Sequence, residues 1–503
     1  MHLCFVAATF GRADSDAEAP AEGTLDDAFA PALQSLRRLA LDFVANPASP
    51  RASWELEQAV DALVRELGRA GVEWAFNHVE PSRTDALPSH VHFEGASHTR
   101  LKRKTPQDVA TSFGKVRLVR AGYRPTEKTG DPTIFPLARQ LGIVAGATPA
   151  LAERAARYQA EAGATQRRTL ERLRQEHGVQ WGVKKLREVV GCVAEAMTEE
   201  RHEVQAGKLL HWLEQAQAGK GKHRPVLSVG RDGISFGVPV RKGTMYEVAS
   251  AGTVTVLDRR GQRLGTVYLA CTPESKQGTL SGQLTQLAEE VLRRWERPAP
   301  RLCYVTDAGD NETAYYQNVL RRMRHPRTGE RLEWIRVVDY YHASTRLWTM
   351  AEALFGGDPA GKAWARRMQR VLKEPGGVRR VLNSAAALRS RRGMTGTGRR
   401  EFDKAYNYLR TRTKHMRYAA YKRLGIPRGS GVTEAACKTI YTQRLKLSGM
   451  RWKKAGAQTI LNLRVLLLSG VWTEAYQRML DKFDSVEVPT YASINRKTLE
   501  MAA

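Results

Sequence analysis

Cysteine is scarce in this sequence, and its five cysteines lie far apart. They stand at positions Cys4, Cys192, Cys271, Cys303 and Cys437, and no two of them have C-x-x-C spacing. A structural zinc site or a disulfide framework is recognised by closely spaced or regularly paired cysteines. The sequence therefore predicts neither kind of site.

Long hydrophobic runs are also missing. The longest apolar run, around Ile460–Trp472, is interrupted by Arg464 and is too short to span a bilayer. The opening segment Met1–Phe10 is mildly apolar, but it lacks a basic flank and leads into the acidic stretch Asp14–Asp27, which argues against a signal peptide. We therefore expect a cytoplasmic protein.

Acidic residues are outnumbered: 52 Asp and Glu face 80 Lys and Arg, which gives a formal net charge of +28 over 503 residues. A chain of this length usually forms two or three domains. So large a positive excess favours a polyanionic partner, with nucleic acid as the leading candidate. A basic surface that serves solubility or loose contact with anionic membranes is the alternative.

The depletion of acids is strongest near the C-terminal end. From Lys404 to Thr473, Glu434 is the only carboxylate, whereas fifteen Lys or Arg residues share this window. A surface that lies against a phosphate backbone excludes stray acids because they would repel the ligand. Metal ligation would explain why Glu434 is retained. An ion pair with Lys438, one helical turn away, is the structural alternative.

The N-terminal part of the chain reads mainly as helix. Helical spacing of apolar residues is clearest in Trp54–Leu67, and we assign residues 1–110 to a helical N-terminal region. Residues 111–220 form a second helical region, in which Thr165–His177 and Trp181–Met197 are separated by Gly178. This spacing fits a helix-turn-helix, or a helical hairpin that only packs. In the first case the outward cations Lys184, Lys185 and Arg187 would contact DNA.

After a Gly/Lys-rich linker the period changes to that of strands. Predicted strands are Pro225–Val229, Gly233–Val240, Gly252–Leu257, Gly265–Ala270, Arg301–Thr306 and Trp334–Val338, with a helix at Leu280–Arg294 before the last two. Several early strands, a helix, and then alternating strand and helix is the order of an α/β ribonuclease-H-like core. Beyond Ala343 the pattern is almost wholly helical, and the glycine-rich, basic stretch Arg391–Arg400 is predicted to be a mobile loop.

Two carboxylates stand at strand positions that suit phosphodiester chemistry. Cleavage and strand transfer with two metals need hard oxygen ligands that hold two Mg²⁺ ions about 4 Å apart. Asp232 lies where the first strand would run, and Asp307 closes the strand that ends at Thr306. Because Asp often ends a strand and starts a turn, each also has a purely structural interpretation.

The motif Asp339-Tyr-Tyr-His342 follows the last predicted strand. Asp339 suits a helix N-cap, and His342 suits a buried hydrogen-bonding histidine. The functional interpretation places both beside the metal site, where they would orient a DNA strand or a leaving group.

Tyrosines and a tryptophan interleave with the cations around Glu434, as on surfaces that combine phosphate contacts with base stacking. Packing of a helical core explains some of these aromatic residues equally well. The residues of this window that we expect to contact DNA are Arg412, Lys414, Lys438, Arg444, Lys446, Arg451, Trp452, Lys453 and Lys454.

Four segments together resemble a known family. They are Tyr304-Val-Thr-Asp-Ala-Gly-Asp-Asn-Glu312, Asp339-Tyr-Tyr-His-Ala343, Gly431-Val-Thr-Glu-Ala-Ala-Cys-Lys438 and Arg444-Leu-Lys-Leu-Ser-Gly-Met-Arg-Trp452. They closely resemble the ISKra4-type insertion-sequence transposases of bacteria. The resemblance covers mainly Pro225–Leu480, and more loosely the helical part from Gly114 onward.

The resemblance implies a DDE transposase, in which Asp232, Asp307 and Glu434 form a triad that binds two Mg²⁺ or Mn²⁺ ions. Partners would be the double-stranded DNA of the element's ends and of the target, held by at least a homodimer near the bacterial nucleoid. The wide gap between Asp307 and Glu434 implies a helical insertion. The implied organisation of the C-terminal part is 221–355 for the first part of the core, 356–423 for the insertion, 424–484 for the rest of the core and 485–503 for a tail.

One departure from the family pattern affects DNA recognition. Relatives often carry paired cysteines after a strand like Gly114–Arg120, whereas Tyr123-Arg-Pro-Thr has none, so zinc-dependent recognition is not expected.

Asp258 lies in a neighbouring strand pair and is an alternative to Asp232. Two rival functions stay open: a DNA-binding protein derived from a transposase that has lost catalysis, and a nuclease that acts on RNA–DNA hybrids.

Overall fold

The computed structural model describes residues 23–46, 48–93, 95–127, 132–392, 394 and 396–484. The predicted tail 485–503 and the apolar opening Met1–Phe10 lie outside these residues. The chain divides into two compact units. The described residues up to Glu199, together with 475–484, form the first unit, and Glu200–Glu474 form the second.

The first unit combines helices with two small sheets. A three-stranded antiparallel sheet has the order β1-β2-β5, and β3 and β4 form a separate antiparallel pair. The elements are α1 (Leu25–Ala45), α2 (Pro50–Asn77), β1 (His90–Phe93), β2 (Ala96–Arg100), β3 (Thr105–Thr111), β4 (Gly114–Arg120), β5 (Tyr123–Pro125), α3 (Pro136–Gln140), α4 (Pro149–Ala160), α5 (Gln166–His177) and the first part of α6 (Val183–Ala218).

The first two helices begin at capping signals that the sequence displays. Thr24 and Asp27 form a reciprocal capping box at the start of α1, and the Ser49 side chain accepts a hydrogen bond from Ala52 N at the start of α2. The helical prediction for residues 1–110 is therefore correct for both helices. It is wrong from His90 onward, where β1, β2 and β3 are too short and too polar to alternate clearly in the sequence.

The predicted helix pair is present, but its second helix is much longer than expected. Helix α5 ends at Gly178, which has the left-handed φ of 64° that favours glycine at a C-cap. Helix α6 continues for 36 residues instead of ending at Met197. The apolar residues of α6 that we expected to pack on α5 include Val183, Leu186 and Val189; Leu186 and Val189 are buried, whereas Val183 is exposed, so the expectation is wrong for Val183.

The second unit is built on one five-stranded sheet. Its elements, after the second part of α6, are β6 (Val226–Pro239), β7 (Thr244–Leu257), β8 (Arg263–Cys271), α7 (Gly278–Arg294), β9 (Arg301–Thr306), α8 (Asp310–Asn318), β10 (Trp334–Val338), α9 (Tyr340–Phe355), α10 (Pro359–Leu372), α11 (Gly377–Arg392), α12 (Gly396–Arg412), α13 (Tyr418–Leu424), α14 (Gly431–Cys437), α15 (Lys454–Leu468) and α16 (Trp472–Asp484), whose end belongs to the first unit. A π-helical turn, Lys438–Thr442, follows α14.

The strand order of this sheet is β10-β9-β6-β7-β8. Strand β7 is antiparallel to β6 and β8, whereas β9 is parallel to both β6 and β10. The bounds predicted for β9 and β10 are confirmed. The two predicted segments Pro225–Val229 and Gly233–Val240 are one continuous strand, because Gly230 and Gly233 do not interrupt the pairing with β7.

Side chains of alternate strand residues enter cores on opposite faces of the sheet. In β9, Leu302 and Tyr304 belong to a core with α6 and α7, while Cys303 and Val305 belong to a core with α9 to α13. Both faces of the central strands are therefore covered. This explains why β9 reads as a continuous apolar run in the sequence.

The predicted insertion is helical, as expected, but it contains no long loop. Helix α11 extends to Arg392 and α12 begins at Gly396, so the prediction of a mobile loop over Arg391–Arg400 is wrong for the described part of that segment. Basic residues there lie on the two helices instead. Among the described helices, none is both long and apolar enough to traverse a membrane.

Helix α14 packs very closely on β6 at Gly230. A Cβ atom at Gly230 would lie 2.2 Å from Thr433 Oγ1 and 2.8 Å from Thr253 Oγ1. The two hydroxyls are themselves 2.8 Å apart and hydrogen-bonded. Only glycine at this position lets α14 approach the sheet so closely.

We predict that Gly230→Ala lowers the free energy of unfolding by about 1–3 kcal/mol, because the added methyl group overpacks this contact. Gly282→Ala in α7 is the matched control, since a Cβ there meets no atom within 4 Å. The control should stabilise the protein by about 1 kcal/mol through helix propensity. Equal urea midpoints for wild type and Gly230→Ala would contradict the tight contact.

Candidate active site

Asp232 and Asp307 lie just beyond the same end of the β6–β9 ladder. Strand β6 pairs with β9 in a register that sets Gly230 opposite Val305. Asp232 and Asp307 each lie two residues beyond this last pair, Asp232 within β6 and Asp307 in the turn that follows β9. Since neighbouring strands are about 5 Å apart, this register brings the two aspartates to the same edge of the sheet.

Helix α14 carries Glu434 toward the same edge. Thr433, the preceding residue, is buried and hydrogen-bonded to Thr253 of β7. Asp232 shares a sheet face with Gly230, on which α14 packs, because residues i and i+2 of a strand point the same way. The structure therefore brings the three predicted carboxylates into one region, although 127 positions separate Asp307 from Glu434.

The charges of these acids interact. Burial raises the pKa of Asp232 above its usual value of 3.8, and repulsion from Asp307 and Glu434 adds to the increase. Neither Asp232 nor Asp307 forms an ion pair with any residue that the structure describes, although the protein carries an excess of 28 positive charges. Like charges gathered without a cationic side chain leave room for a cation from solution.

The Glu434 carboxylate is turned toward two side chains of this region. Ser430 Oγ lies 2.9 Å from Glu434 Oε1, and His342 Nε2 lies 3.4 Å from the same oxygen. The Glu434 side chain is 45% exposed, so solvent and ions can reach it. The structural alternative for Glu434 was an ion pair with Lys438. Within the described part of the chain, these two side chains form no ion pair.

Asp339 connects the last strand of the core to α14. It is fully buried, and its carboxylate accepts hydrogen bonds from Ser430 N, from Ser430 Oγ at 2.7 Å and from His342 N at 2.9 Å. The N-cap interpretation of Asp339 is therefore confirmed. Asp339 Oδ2 accepts from Ser430, the N-cap residue of α14. This contact joins the segment before the helical insertion to the segment after it.

The position of His342 differs from the structural interpretation. Its side chain is partly exposed rather than buried, and it lies beside Glu434. Because Ser430 has a single hydroxyl proton, it can donate to either Asp339 or Glu434 but not fully to both. His342 is thus the second group that can hold Glu434 in its present orientation.

Among the residues that the structure describes, no three His, Cys, Asp or Glu side chains form a group that could hold a metal ion. Glu434 Oε1 contacts Ser430 and His342, and the charge of Glu434 acts on Asp232. The donor set still fits Mg²⁺, because all three members are carboxylates and two have no cationic partner. Both described contacts of Glu434 are made by Oε1, so Oε2 is the oxygen that could bind an ion.

The backbone that carries Asp307 is held in a strained turn. Ala308 has a φ of 63°, in the left-handed region that residues with a Cβ rarely adopt. Two side chains of α12 hold this turn: Tyr408 OH donates to Asp307 O at 2.6 Å, and Arg412 Nη2 donates to Ala308 O at 3.1 Å. The helical insertion therefore supports Asp307 directly.

Sequence reasoning missed Glu312 and Arg231. Glu312 is buried in the first turn of α8, 3.8 Å from the Arg231 guanidinium, and burial raises the pKa of Glu312, with repulsion from Asp307 adding to it. Arg231 directly precedes Asp232 and is itself buried. The acid stood inside the motif that begins at Tyr304, but acids are common in first helical turns, so no signal singled it out.

The alternative first aspartate, Asp258, has a clear structural role. Its carboxylate accepts hydrogen bonds from Arg260 N and Gln262 N, both at 2.8 Å, in the turn that joins β7 to β8. These contacts stabilise the hairpin. The geometry favours Asp232 over Asp258 as the member of the carboxylate group.

The predicted DNA-binding residues of the second unit do not all lie free on the surface. Arg444 is fully buried, with its guanidinium 5.2 Å from the Trp452 ring centre, so it is withdrawn from the predicted interface. Lys454 is paired with Glu247 at 2.6 Å, and Arg412 supports the Ala308 turn. Those that are exposed are Lys414, Lys438, Lys446, Arg451 and Lys453.

The three predicted cations of the first unit lie at the start of α6. Lys184 and Arg187 are exposed, and Lys185 is half-buried and paired with Glu188 at 3.2 Å. Arg187 also donates to Gln166 Oε1 at 3.0 Å. Their contact with DNA stays a prediction.

We predict that Asp232→Asn stabilises the protein at pH 7 in EDTA. A folded-state pKa raised above the unfolded value means that the contribution of Asp232 to stability is full below pH 3.8 and is lost as the pH rises through the raised pKa. The advantage of the variant should therefore disappear toward low pH. Thermal unfolding measured from pH 3 to 8 checks this.

Asp258→Asn is the control, since its carboxylate already satisfies two turn N–H groups, and it should gain no stability at pH 7. Added Mg²⁺ should raise the unfolding temperature of wild type and of Asp258→Asn more than that of Asp232→Asn. A less stable Asp232→Asn in EDTA would contradict the proposed charge repulsion.

We predict that Tyr408→Phe lowers the free energy of unfolding by about 1 kcal/mol, because the Asp307 carbonyl loses its hydrogen bond. Tyr406→Phe is the matched control on the same helix, since its hydroxyl forms no hydrogen bond with the described residues. The control should change stability by less than about 0.5 kcal/mol. Chemical denaturation of both variants measures the difference, and equal losses would remove the role assigned to Tyr408.

Comparison with known proteins assigns no family to the chain. No family model matches it. No curated protein matches its sequence either. The likeness to ISKra4-type transposases is therefore carried by the four segments named above, and the function is inferred from the residues and geometry of the second unit.

Proposed function

We propose that this protein is a DNA transposase of the DDE type, which cleaves DNA at the ends of an insertion sequence and joins them to a target with the help of Mg²⁺. The observation that carries the proposal is the parallel pairing of β6 with β9, which brings Asp232 and Asp307 to the same end of their ladder. Helix α14 brings Glu434 to the same edge. The four segments that resemble ISKra4-type transposases contain two of these acids.

The sheet supports a ribonuclease-H-like interpretation of the core. Three antiparallel strands, β8, β7 and β6, are followed by two parallel strands, β9 and β10, on the other side of β6. Asp307 and Asp339 directly follow the parallel strands β9 and β10, at the carboxyl ends where ligands bind in α/β sheets, and Asp232 lies in β6 just beyond its last pair with β9. In this proposal the insertion comprises α10 to α13.

Asp232, Asp307 and Glu434 would hold the metal ions. The ions would supply Lewis-acid stabilisation of the phosphate and an activated water or 3′-hydroxyl. The protein's own residues position these acids. Asp339 holds the start of α14 through Ser430, and Tyr408 and Arg412 hold the turn after Asp307. His342 lies where it can accept or donate a proton near Glu434.

The positive charge of the chain supports double-stranded DNA as substrate and target. In the second unit the exposed cations Lys414, Lys438, Lys446, Arg451 and Lys453 would contact phosphates, while Lys184 and Arg187 of α6 would contribute to recognition of the element's ends. Joining two ends requires that they be held together. We propose a homodimer for this synaptic complex.

A second candidate is a DNA-binding protein derived from a transposase that has lost catalysis. The observation that favours it is the orientation of Glu434, which contacts Ser430 and His342 instead of completing a metal site with the aspartates. This protein would bind DNA with strong salt dependence and without a metal requirement. Asp307→Asn would then leave its biological output unchanged.

We predict that wild type nicks duplex DNA that carries the element's end in the presence of Mg²⁺, and that Glu434→Gln reduces the rate at least about 100-fold, because one metal-binding charge is removed. Glu401→Gln, an exposed carboxylate of α12, is the matched control and should retain full activity. Nicking is measured on labelled DNA taken from the sequence that flanks the coding region.

Equal activity of Glu434→Gln and wild type would remove the triad assignment. DNA binding without nicking by wild type would favour the second candidate. Faster cleavage of an RNA–DNA hybrid than of duplex DNA would instead indicate a hybrid-specific nuclease.

A further inference from the structure

Strands β6 and β7 continue as a pair past the ends of their pairing with β9 and β8. Strand β9 pairs with β6 only as far as Gly230, and β8 pairs with β7 only from Ser250 onward. The β6–β7 ladder nevertheless continues to the pair Pro239 and Thr244. As far as the structure is described, residues 233–249 therefore form a two-stranded ribbon, here called the ribbon, with Asp232 at its base.

The ribbon exposes large hydrophobic side chains. Tyr246 is 73% exposed, and Val240, Met245 and Val248 are also exposed. Scattered single hydrophobic residues are normal on a surface, but a group of them on one projecting element marks an interaction site. Phe236 holds the base of the ribbon, because it is buried and packs against Tyr441, while these hydrophobic side chains remain exposed.

The face that carries Tyr246 is open and flat. Tyr246 pairs with Gly237 and Val248 pairs with Ser235, so the residues opposite these two side chains are small. A Cβ atom at Gly237 would lie 3.5 Å from Tyr246 Cε1, which shows that the ring lies over the glycine. One side of the ring lies on the glycine and the rest is exposed, as a stacking platform requires.

The charge of the ribbon favours a polyanion. Arg241 and Lys242 are exposed at its turn. Its single acid, Glu247, is neutralised by Lys454 at 2.6 Å, and Lys446 donates to Ser235 O at 2.9 Å. Cations therefore border the exposed aromatic ring, and no free acid of the ribbon opposes them.

We propose that the ribbon is a DNA-binding arm, on which Arg241 and Lys242 contact phosphates and Tyr246, inserted between base pairs, stacks on a base about five base pairs from the cleavage site. This inference rests on the proposed cleavage of DNA at Asp232. Gly237, which lies under Tyr246, is five strand residues beyond Asp232, a distance of about 17 Å. This spans about five base pairs of duplex DNA. The stacked base lies about that far from the scissile phosphate.

Binding of a 40-base-pair duplex from the flanking sequence, measured as Kd against salt concentration, tests the arm. Tyr246→Ala should weaken binding about tenfold, the effect of one lost stacked base, while Tyr246→Phe, which keeps the ring, should bind like wild type. Arg241→Ala combined with Lys242→Ala should reduce the slope of log Kd against log salt concentration by the amount expected for about two phosphate contacts. All three changes lie at exposed positions, and unchanged thermal unfolding would show that the fold is intact.

The position of stacking is tested with 2-aminopurine placed at successive positions of the same duplex. Wild type and Tyr246→Phe should change its fluorescence most at about five base pairs from the nick, and Tyr246→Ala should not. Unchanged Kd, salt dependence and fluorescence in all variants would overturn the arm. A concentration-dependent dimer lost in Tyr246→Ala, with DNA binding unchanged, would also overturn it and assign the ribbon to a second copy.

The outcomes separate this inference from the proposed function. If wild type fails to nick DNA but Tyr246→Ala weakens binding, the arm stands and the transposase proposal fails. If Glu434→Gln abolishes nicking while every ribbon variant binds DNA like wild type, the transposase proposal stands and the arm fails.

Discussion

The parallel pairing of β6 with β9 is the constraint on which the candidate site depends. Its last pair, Gly230 with Val305, brings Asp232 and Asp307, each two residues farther along the chain, to the same end of the ladder. A shift of one residue would turn Asp232 to the opposite face, away from α14, because strand side chains alternate. The buried residues Leu227 and Val229 on one face and Val226 on the other oppose such a shift, since it would exchange the two cores.

The site concentrates negative charge where the rest of the protein is basic. Burial and mutual repulsion raise the pKa of Asp232, and burial of Glu312 next to Asp307 adds a further acid. Such an arrangement is unfavourable unless something outside the chain offsets it. The same region contains an alanine at a φ of 63° immediately after Asp307. Charge repulsion and backbone strain at one place are typical of a functional site rather than of a structural one.

The helical insertion supports the site from two directions. Tyr408 and Arg412 of α12 bind the backbone of the turn after Asp307. At the other end of the insertion, the buried Asp339 holds Ser430, at the start of the helix that carries Glu434. The residues between the second and third acids are therefore a structural part of the site. A change far from the acids, on α12, is expected to reach them through these contacts.

The sequence alone determined the local elements and the residue types. The apolar runs that end at Thr306 and Val338 predicted β9 and β10 with their correct bounds, because buried parallel strands are continuously apolar. The depletion of acids around Glu434 selected that residue from composition. Short polar strands such as β1, and the single strand through Gly230 and Gly233, were not predictable, because their pairing depends on partners distant in the chain.

Only the tertiary structure decided which of these residues meet. It placed Glu434 beside Ser430 and His342, buried Arg444, gave Asp258 to a turn and added Glu312 to the acidic group. Each outcome depends on contacts between segments far apart in the sequence, whose geometry is set by register and packing. Spacing along one chain carries no record of that geometry, whereas hydrophobic periodicity and charge composition are local properties that the sequence displays directly.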